Sequence, residues 1–235
     1  MSEKGDAAPE IRARPFGNAP HGAAGVALSA EQRHALARIA RLVHFAHGQT
    51  IYLQGDPLTH VYTLAAGVVA TYRMNDEGVR HITALLFPGD CFGVAEAGRY
   101  FNAAEAVTEA EAWQIPFREL AALLEADPRL EWNFLVKALD GVRQAQRHAI
   151  LLDRHGAVQR IALFLEYLRR EMPANGGRIV PLPMPRSVIA DYTGLSLESV
   201  SRSLSALRDA GAIRMEGPHA VEVLDPARLR EAAEG

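Results

Sequence analysis

The chain has 235 residues, 49% hydrophobic and 23% charged, with a formal net charge of -3 and a single cysteine, Cys91. That length suits two modest domains with ordinary packed cores. The balance excludes a globally basic nucleic-acid binder, and one cysteine excludes an internal disulfide or a cysteine-based cluster within one chain. No run approaches the ~18 uninterrupted apolar residues of a membrane span, and the N-terminus carries Glu3, Asp6 and Glu10 with no apolar signal core, so a cytoplasmic protein with no membrane partner is expected.

Residues 1–27 are rich in Gly, Ala and Pro and show no periodicity, which reads as a disordered tail. Ser29 with Gln32 three residues later forms a capping-box pattern, and a helix from Ala30 to Leu42 follows. From Gly48 to Ile115 short Val-, Ile-, Tyr- and Thr-rich segments alternate with turn signals: QTIYLQ then GDP, HVYTLAA then Gly, VVATYRM then NDEG, RHITALLF then PGD. These are short antiparallel strands joined by tight turns, with Asn75–Gly78 as a hairpin loop, and they predict a small β-barrel or roll.

From Phe117 the period becomes helical, and after Asp127-Pro128 a long helix runs to about Leu152. Leu135, Leu139, Val142, Gln146 and Ala149 recur at alternating spacings of four and three, a heptad seam. Such a seam either packs on its own domain or joins a second copy in a coiled coil, where a polar Gln146 would help to fix register. Asp153-Arg154-His155-Gly156 interrupts the pattern as a candidate hinge, a helix from Ala157 to Glu171 follows, and RIVPLPM after the PANGG loop is strand-like.

Arg186 to Tyr192 reads as a short helix, Gly194 supplies a left-handed turn, and Leu197 opens a second helix that Asp209-Ala210-Gly211 ends. Ala190, Gly194 and Val200 have the spacing of a helix-turn-helix: a small residue lets the helices touch, a glycine turns the chain, and a β-branched residue locks the second helix on the first. Ala212–Arg214 and Val221–Val223 flank Gly217-Pro218 as a β-hairpin wing.

In such a unit the N-terminal residues of the second helix face base edges in the major groove. Glu198, Ser201 and Arg202 lie at i, i+3 and i+4, on one face. Arg202 can donate two hydrogen bonds to guanine, Glu198 can accept from cytosine N4, and Ser201 can lie against a thymine edge or a phosphate. Arg186, Ser199 and Ser203 are candidate phosphate contacts. In an isolated helix the same trio would be a solvated face with one ion pair.

From about residue 30 onward the chain resembles the CRP/FNR family of bacterial transcription regulators, most specifically in GLSLESVSRSLSALRDAGAI and LPMPRSVIADYTGLS. The resemblance implies an α+β protein: a cyclic-nucleotide-binding-like β-roll (jelly roll) over 28–120, a long dimerisation helix and hinge over 121–155, and a winged helix-turn-helix DNA-binding domain over 156–235. Glu198-x-x-Ser201-Arg202 is similar to the FNR and FixK branch; the cyclic-AMP receptor branch has arginine immediately before the glutamate, where this chain has Leu197. The branch implies a homodimer on double-stranded DNA, a palindromic promoter site with TTGAT-type half-sites. It also implies contact with RNA polymerase and control of genes for low oxygen, nitrogen fixation or denitrification.

Cyclic-nucleotide binding in the family needs a Gly-Glu pair and an Arg-Ser pair after the roll's PGD turn. Here Pro88-Gly89-Asp90 is present, but Gly93 precedes Val94 and Arg99 precedes Tyr100. Iron–sulfur sensing needs several N-terminal cysteines, and this tail has none. The expectation is a FixK-like regulator with no cofactor and no metal, and no nucleophile–base constellation points to an enzyme. The alternatives are a regulator that senses gas or redox state through haem or Cys91, and a small-molecule binding module.

Overall fold

The computed structural model describes residues 28–93, 95–172 and 175–235, so the tail expected over 1–27 lies outside the described residues, as do Pro173 and Ala174 of the PANGG loop. In chain order the elements begin with helix α1 (Ala30–Ile39). Ten strands follow: β1 (Arg41–Phe45), β2 (Thr50–Tyr52), β3 (His60–Ala66), β4 (Val69–Met74), β5 (Arg80–Leu86), β6 (Cys91–Phe92), β7 (Ala95–Glu96), β8 (Arg99–Tyr100), β9 (Ala103–Ala106) and β10 (Ala110–Pro116). Helices α2 (Phe117–Ala126), α3 (Pro128–Asp153) and α4 (Ala157–Glu171) come next. The chain closes with β11 (Ile179–Pro181), α5 (Arg186–Thr193), α6 (Leu197–Asp209), β12 (Ile213–Met215), β13 (Ala220–Val223) and α7 (Pro226–Glu234). Among the described residues no helix is long and apolar enough to cross a membrane.

The chain divides into two compact units: residues up to Val69 with Pro88–Val142, and Ala70–Phe87 with Arg143–Gly235. In the first, β1, β10, β3 and β6 form an antiparallel sheet in that order, and β2 pairs with β9. The tight turn between β3 and β4 needs Gly67: its φ is 84°, and a Cβ there would collide with the backbone of Glu109 and Ala110. Leu28, Leu36, Ala40, Ile115, Leu120 and Leu130 form a core cluster joining α1 and α2 to the roll and the start of α3. The expected capping box is present, with the Ser29 hydroxyl accepting from the Gln32 amide at 3.1 Å and the Gln32 carboxamide accepting from the Ser29 amide at 3.0 Å. The helix it opens is shorter than expected. It stops at Ile39 rather than Leu42, because Arg41–Phe45 pairs with Gln114–Ala110 and buries Phe45.

The second unit holds the β4–β5 hairpin and everything after the middle of α3. Asn75 closes the hairpin loop, its side-chain oxygen accepting from the Glu77 and Val79 amides at 3.1 and 2.7 Å. The hairpin groups with the C-terminal elements, where a division at residue 120 would have left it with the roll. Here the Tyr167 hydroxyl donates to the Leu85 carbonyl at 3.1 Å, and the Phe87 ring meets Tyr167 edge-on at 5.8 Å. The wing has three strands, not two: β13 lies between β11 and β12.

Candidate nucleic-acid interface

Three helices build the candidate site. Helix α4 carries a buried face of Ile161, Phe164, Leu165 and Leu168, against which α6 and α7 pack. Helix α5 buries Ile189 and Ala190, and it ends at Gly194, whose φ of 63° and ψ of 37° place it in the left-handed region. The amides of Gly194 and Leu195 both turn back to the Ala190 carbonyl, the latter at 2.9 Å. Ser196 then caps α6 through the Ser199 amide at 3.1 Å, and Val200 is fully buried against α5. Ala190 and Val200 are thus buried, and Gly194 takes the left-handed conformation between the two helices.

The opposite face of α6 meets solvent. Glu198 and Arg202 form the i,i+4 pair, Nη1 to Oε1 at 3.6 Å, with side chains 76% and 70% exposed. An exposed pair at that distance contributes little to folding, about 0.3–0.5 kcal/mol, so these side chains are free to exchange each other for a partner. Ser201 is exposed beside them, and its hydroxyl donates to the Leu197 carbonyl at 3.1 Å, leaving its lone pairs available. Ser199 is half-buried at the first turn, its hydroxyl accepting from that of Ser196 at 2.9 Å.

Two of the expected phosphate contacts look different in the structure. Ser203 is 2% exposed and lies with Val200, Leu204 and Leu207 on the packed face, so it has no path to a phosphate. Its spacing of three from Val200 places it there. Arg186 is half-buried, and its Nη1 is buried without a hydrogen-bond partner; desolvation pulls its pKa below the ordinary arginine value. Leu197, to which the sequence assigns no contact, is 53% exposed at the first position of α6. An exposed leucine at that end of a recognition helix is suited to a thymine methyl group.

Along α3 the heptad residues are outward. Leu135, Leu139 and Val142 are 51%, 48% and 53% exposed, and Gln146 and Ala149 are also exposed. The apolar residues of this stripe are about half exposed, unlike Leu130, His148 and Leu151, which are buried on the same helix.

Arg99 donates its Nη1 to the Gly55 carbonyl at 2.7 Å and is exposed. Tyr100 turns inward, with its hydroxyl donating to the His60 carbonyl at 2.9 Å and its ring stacked on Tyr52 at 3.9 Å. Tyr62 and Phe92 continue the stack at 5.0 Å from each other, and all four rings are buried. Burial pushes the Tyr62 phenol up to about 12. Among the described residues no group of three or more His, Cys, Asp or Glu is placed to hold a metal ion.

Cys91 starts β6, half-buried, with its sulfur 3.5 Å from the Thr63 hydroxyl. Burial raises its thiol pKa, outweighing the Thr63 hydrogen bond and the Lys137 ammonium, which act in the opposite direction. A thiol held protonated reacts slowly with peroxide. DNA binding is therefore expected to survive mild peroxide treatment unchanged, in wild type and in Cys91→Ser alike. Loss of binding in wild type alone, measured by fluorescence anisotropy, would make Cys91 a switch.

The family model for a Crp-like helix-turn-helix domain matches residues 159–232, and that for a cyclic nucleotide-binding domain matches residues 42–127. The nitrogen fixation regulation protein FixK of Bradyrhizobium diazoefficiens is 33% identical over 208 residues, covering 88% of this chain and 87% of the relative. That of Rhizobium meliloti is 34% identical over 190 residues, covering 78% and 82%. The solved structure of FixK2 from Bradyrhizobium japonicum superposes with a TM-score of 0.77 at 29% identity, covering 83% of this chain and 97% of that one.

Proposed function

The chain belongs to the CRP/FNR family as a FixK-type transcription regulator, and from that premise we propose that it acts as a homodimer that reads TTGAT-type inverted repeats and activates transcription there. The observation that carries the reading is the exposed Glu198–Arg202 pair on the first turns of α6, held outward by a helix-turn-helix whose other face is packed. Arg202 would read guanine, Glu198 cytosine, Ser201 and Leu197 a thymine edge, and Ser199 a phosphate. Arg186 would reach a phosphate only by leaving its half-buried position.

The outward seam of Leu135, Leu139, Val142, Gln146 and Ala149 supports pairing of two copies through α3, and two-fold symmetry in the protein calls for two-fold symmetry in the site. The residues of the roll support action without a cyclic nucleotide, and the single cysteine supports action without an iron–sulfur cluster. In this reading the protein is a cytoplasmic regulator and not an enzyme. It touches RNA polymerase through surface loops and serves genes for low oxygen, nitrogen fixation or denitrification; the names of its relatives support the nitrogen-fixation part. The net charge of -3 leaves only a local positive face, so nonspecific affinity should be modest and steeply salt-dependent.

A gel-shift titration at fixed salt tests this, with aerobically purified protein and no added ligand. The expected result is selective binding to a TTGAT-type inverted repeat over both a cyclic-AMP-receptor-type site and a scrambled duplex. Equal binding to all three would overturn effector-free recognition.

A further inference from the structure

A helix leaves its last carbonyls without partners inside the helix, and something else must satisfy them. At the end of α5 three consecutive carbonyls are met by side chains from two other helices. His148 of α3 lies 2.7 Å from the Tyr192 carbonyl through Nε2, and its ring stacks on the Tyr192 ring at 4.1 Å with an interplanar angle of 6°. Arg160 of α4 donates from Nη1 to the Thr193 carbonyl at 3.1 Å and to the Gly194 carbonyl at 3.3 Å. The same guanidinium donates from Nε to the Arg154 carbonyl at 2.7 Å, in the link between α3 and α4. One planar group thus joins the candidate hinge to the turn of the helix-turn-helix.

The turn is exposed at Gly194, but two side chains approach it closely. A Cβ added at Gly194 would lie 3.2 Å from the Arg160 guanidinium and 3.3 Å from the Leu152 side chain. Tyr192 is walled on its other sides by Phe164 and Tyr167 of α4, at 5.6 and 6.2 Å. The cation also sits at the negative end of the α5 dipole, where its charge is favoured.

Only Leu195 and Ser196 separate Gly194 from α6, so the direction of the recognition helix is set where the chain leaves this clamp. The other side of the clamp is the last two turns of α3, the helix that carries the exposed seam. We propose that His148 and Arg160 are positioning residues that lock the helix-turn-helix to α3 and thereby fix the half-site spacing that a dimer accepts. The inference rests on the DNA-reading role proposed above and adds what determines the distance between its two reading heads. Neither residue is assigned a base contact. A fixed distance makes the second half-site effectively intramolecular, while a loose one spreads that advantage over several spacings.

The test uses the full-length protein and inverted repeats with identical half-sites, in which the spacer is the reference length or longer or shorter by one or two base pairs. The spacing penalty is the ratio of the dissociation constants for altered and reference spacers. Half-site preference is measured separately by replacing the guanine in each half-site. For Arg160→Gln the penalty is expected to fall about tenfold while half-site preference stays within about threefold of wild type, because fewer aligned contacts enforce one geometry. Arg160→Lys keeps the charge but not the fork, and it should restore part of the penalty. His148→Gln keeps a donor but not the ring stack, and it should lower the penalty less than Arg160→Gln.

Circular dichroism and thermal melting identify any variant that fails to fold, and Arg160→Lys with His148→Gln then carry the test. An unchanged penalty in the folded variants overturns the positioning role even where operator affinity has dropped. Failure of the DNA-reading role has a different form: wild type itself then shows neither half-site preference nor a spacing penalty.

Discussion

Leu139→Asp is expected to turn the dimer into a monomer and to lower affinity for an inverted repeat by about 10²–10⁴-fold, the scale of a lost second attachment. Leu139 is the second outward residue of the seam, four residues after Leu135 and three before Val142, and it is 48% exposed in one chain. Burying such a side chain contributes roughly 1.5–3 kcal/mol per copy. In a two-fold pair an aspartate there would face a hydrophobic stripe and lie close to its own copy, so desolvation and like-charge repulsion act together. Leu139→Met conserves volume and should keep the dimer, at a cost below about 1.5 kcal/mol. Sedimentation equilibrium reads the oligomeric state, and titration of a single half-site against the full repeat reads the second attachment. The aspartate variant should bind the half-site and the full repeat almost equally. A Leu139→Asp protein that remains a dimer would place the interface off this seam.

How legible these features were in the sequence depended on how local their causes are. The β4–β5 loop could be read because Asn75 closes it with its own side chain and Gly78 takes a φ of 76°, both local properties. Helix α4 begins and ends at the expected residues because Gly156 and Met172 bound a clear apolar period. The end of α1 was misjudged because β1 is decided by its partner, β10. Arg41–Phe45 has no helix breaker, and sheet pairing overrides its local tendency. Helix α7 went unread despite a plain start signal. Asp225 caps it through the amides of Ala227 and Arg228, and Pro226 occupies the first turn, but its Ala- and charge-rich sequence shows little apolar period.

The candidate site divides in the same way. Ala190, Gly194 and Val200 are a sequence-local pattern, and Glu198, Ser201 and Arg202 follow from helical spacing. Ser203 follows that same spacing onto the buried face, three positions after Val200, which is why it has no path to a phosphate. His148 and Arg160 left no trace in the pattern. Their partners are backbone carbonyls 44 and 33 residues away, and a carbonyl acceptor has no residue type for a motif to record.

Arg202→Ala is expected to weaken operator binding by about 1–3 kcal/mol at each half-site, hence by roughly 2–6 kcal/mol for a dimer with two independent heads. The loss should concentrate on one base pair. If Arg202 reads guanine with two donors, changing that guanine hardly affects the variant although it damages wild-type binding. Competition among duplexes that differ only at that position measures this. Folding should barely change, because the Arg202–Glu198 pair is exposed on both sides and spans 3.6 Å. A melting temperature near that of wild type therefore separates lost reading from lost structure. Arg202→Lys restores charge but not the bidentate fork, so it should recover the phosphate-driven part of binding and little of the base discrimination. The contrast with Arg160→Gln completes the assignment. An alanine at 202 should erase the choice of base and leave the spacing penalty intact, whereas loss of Arg160 should do the reverse. Base discrimination that survives in Arg202→Ala would move the reading head to another face of α6.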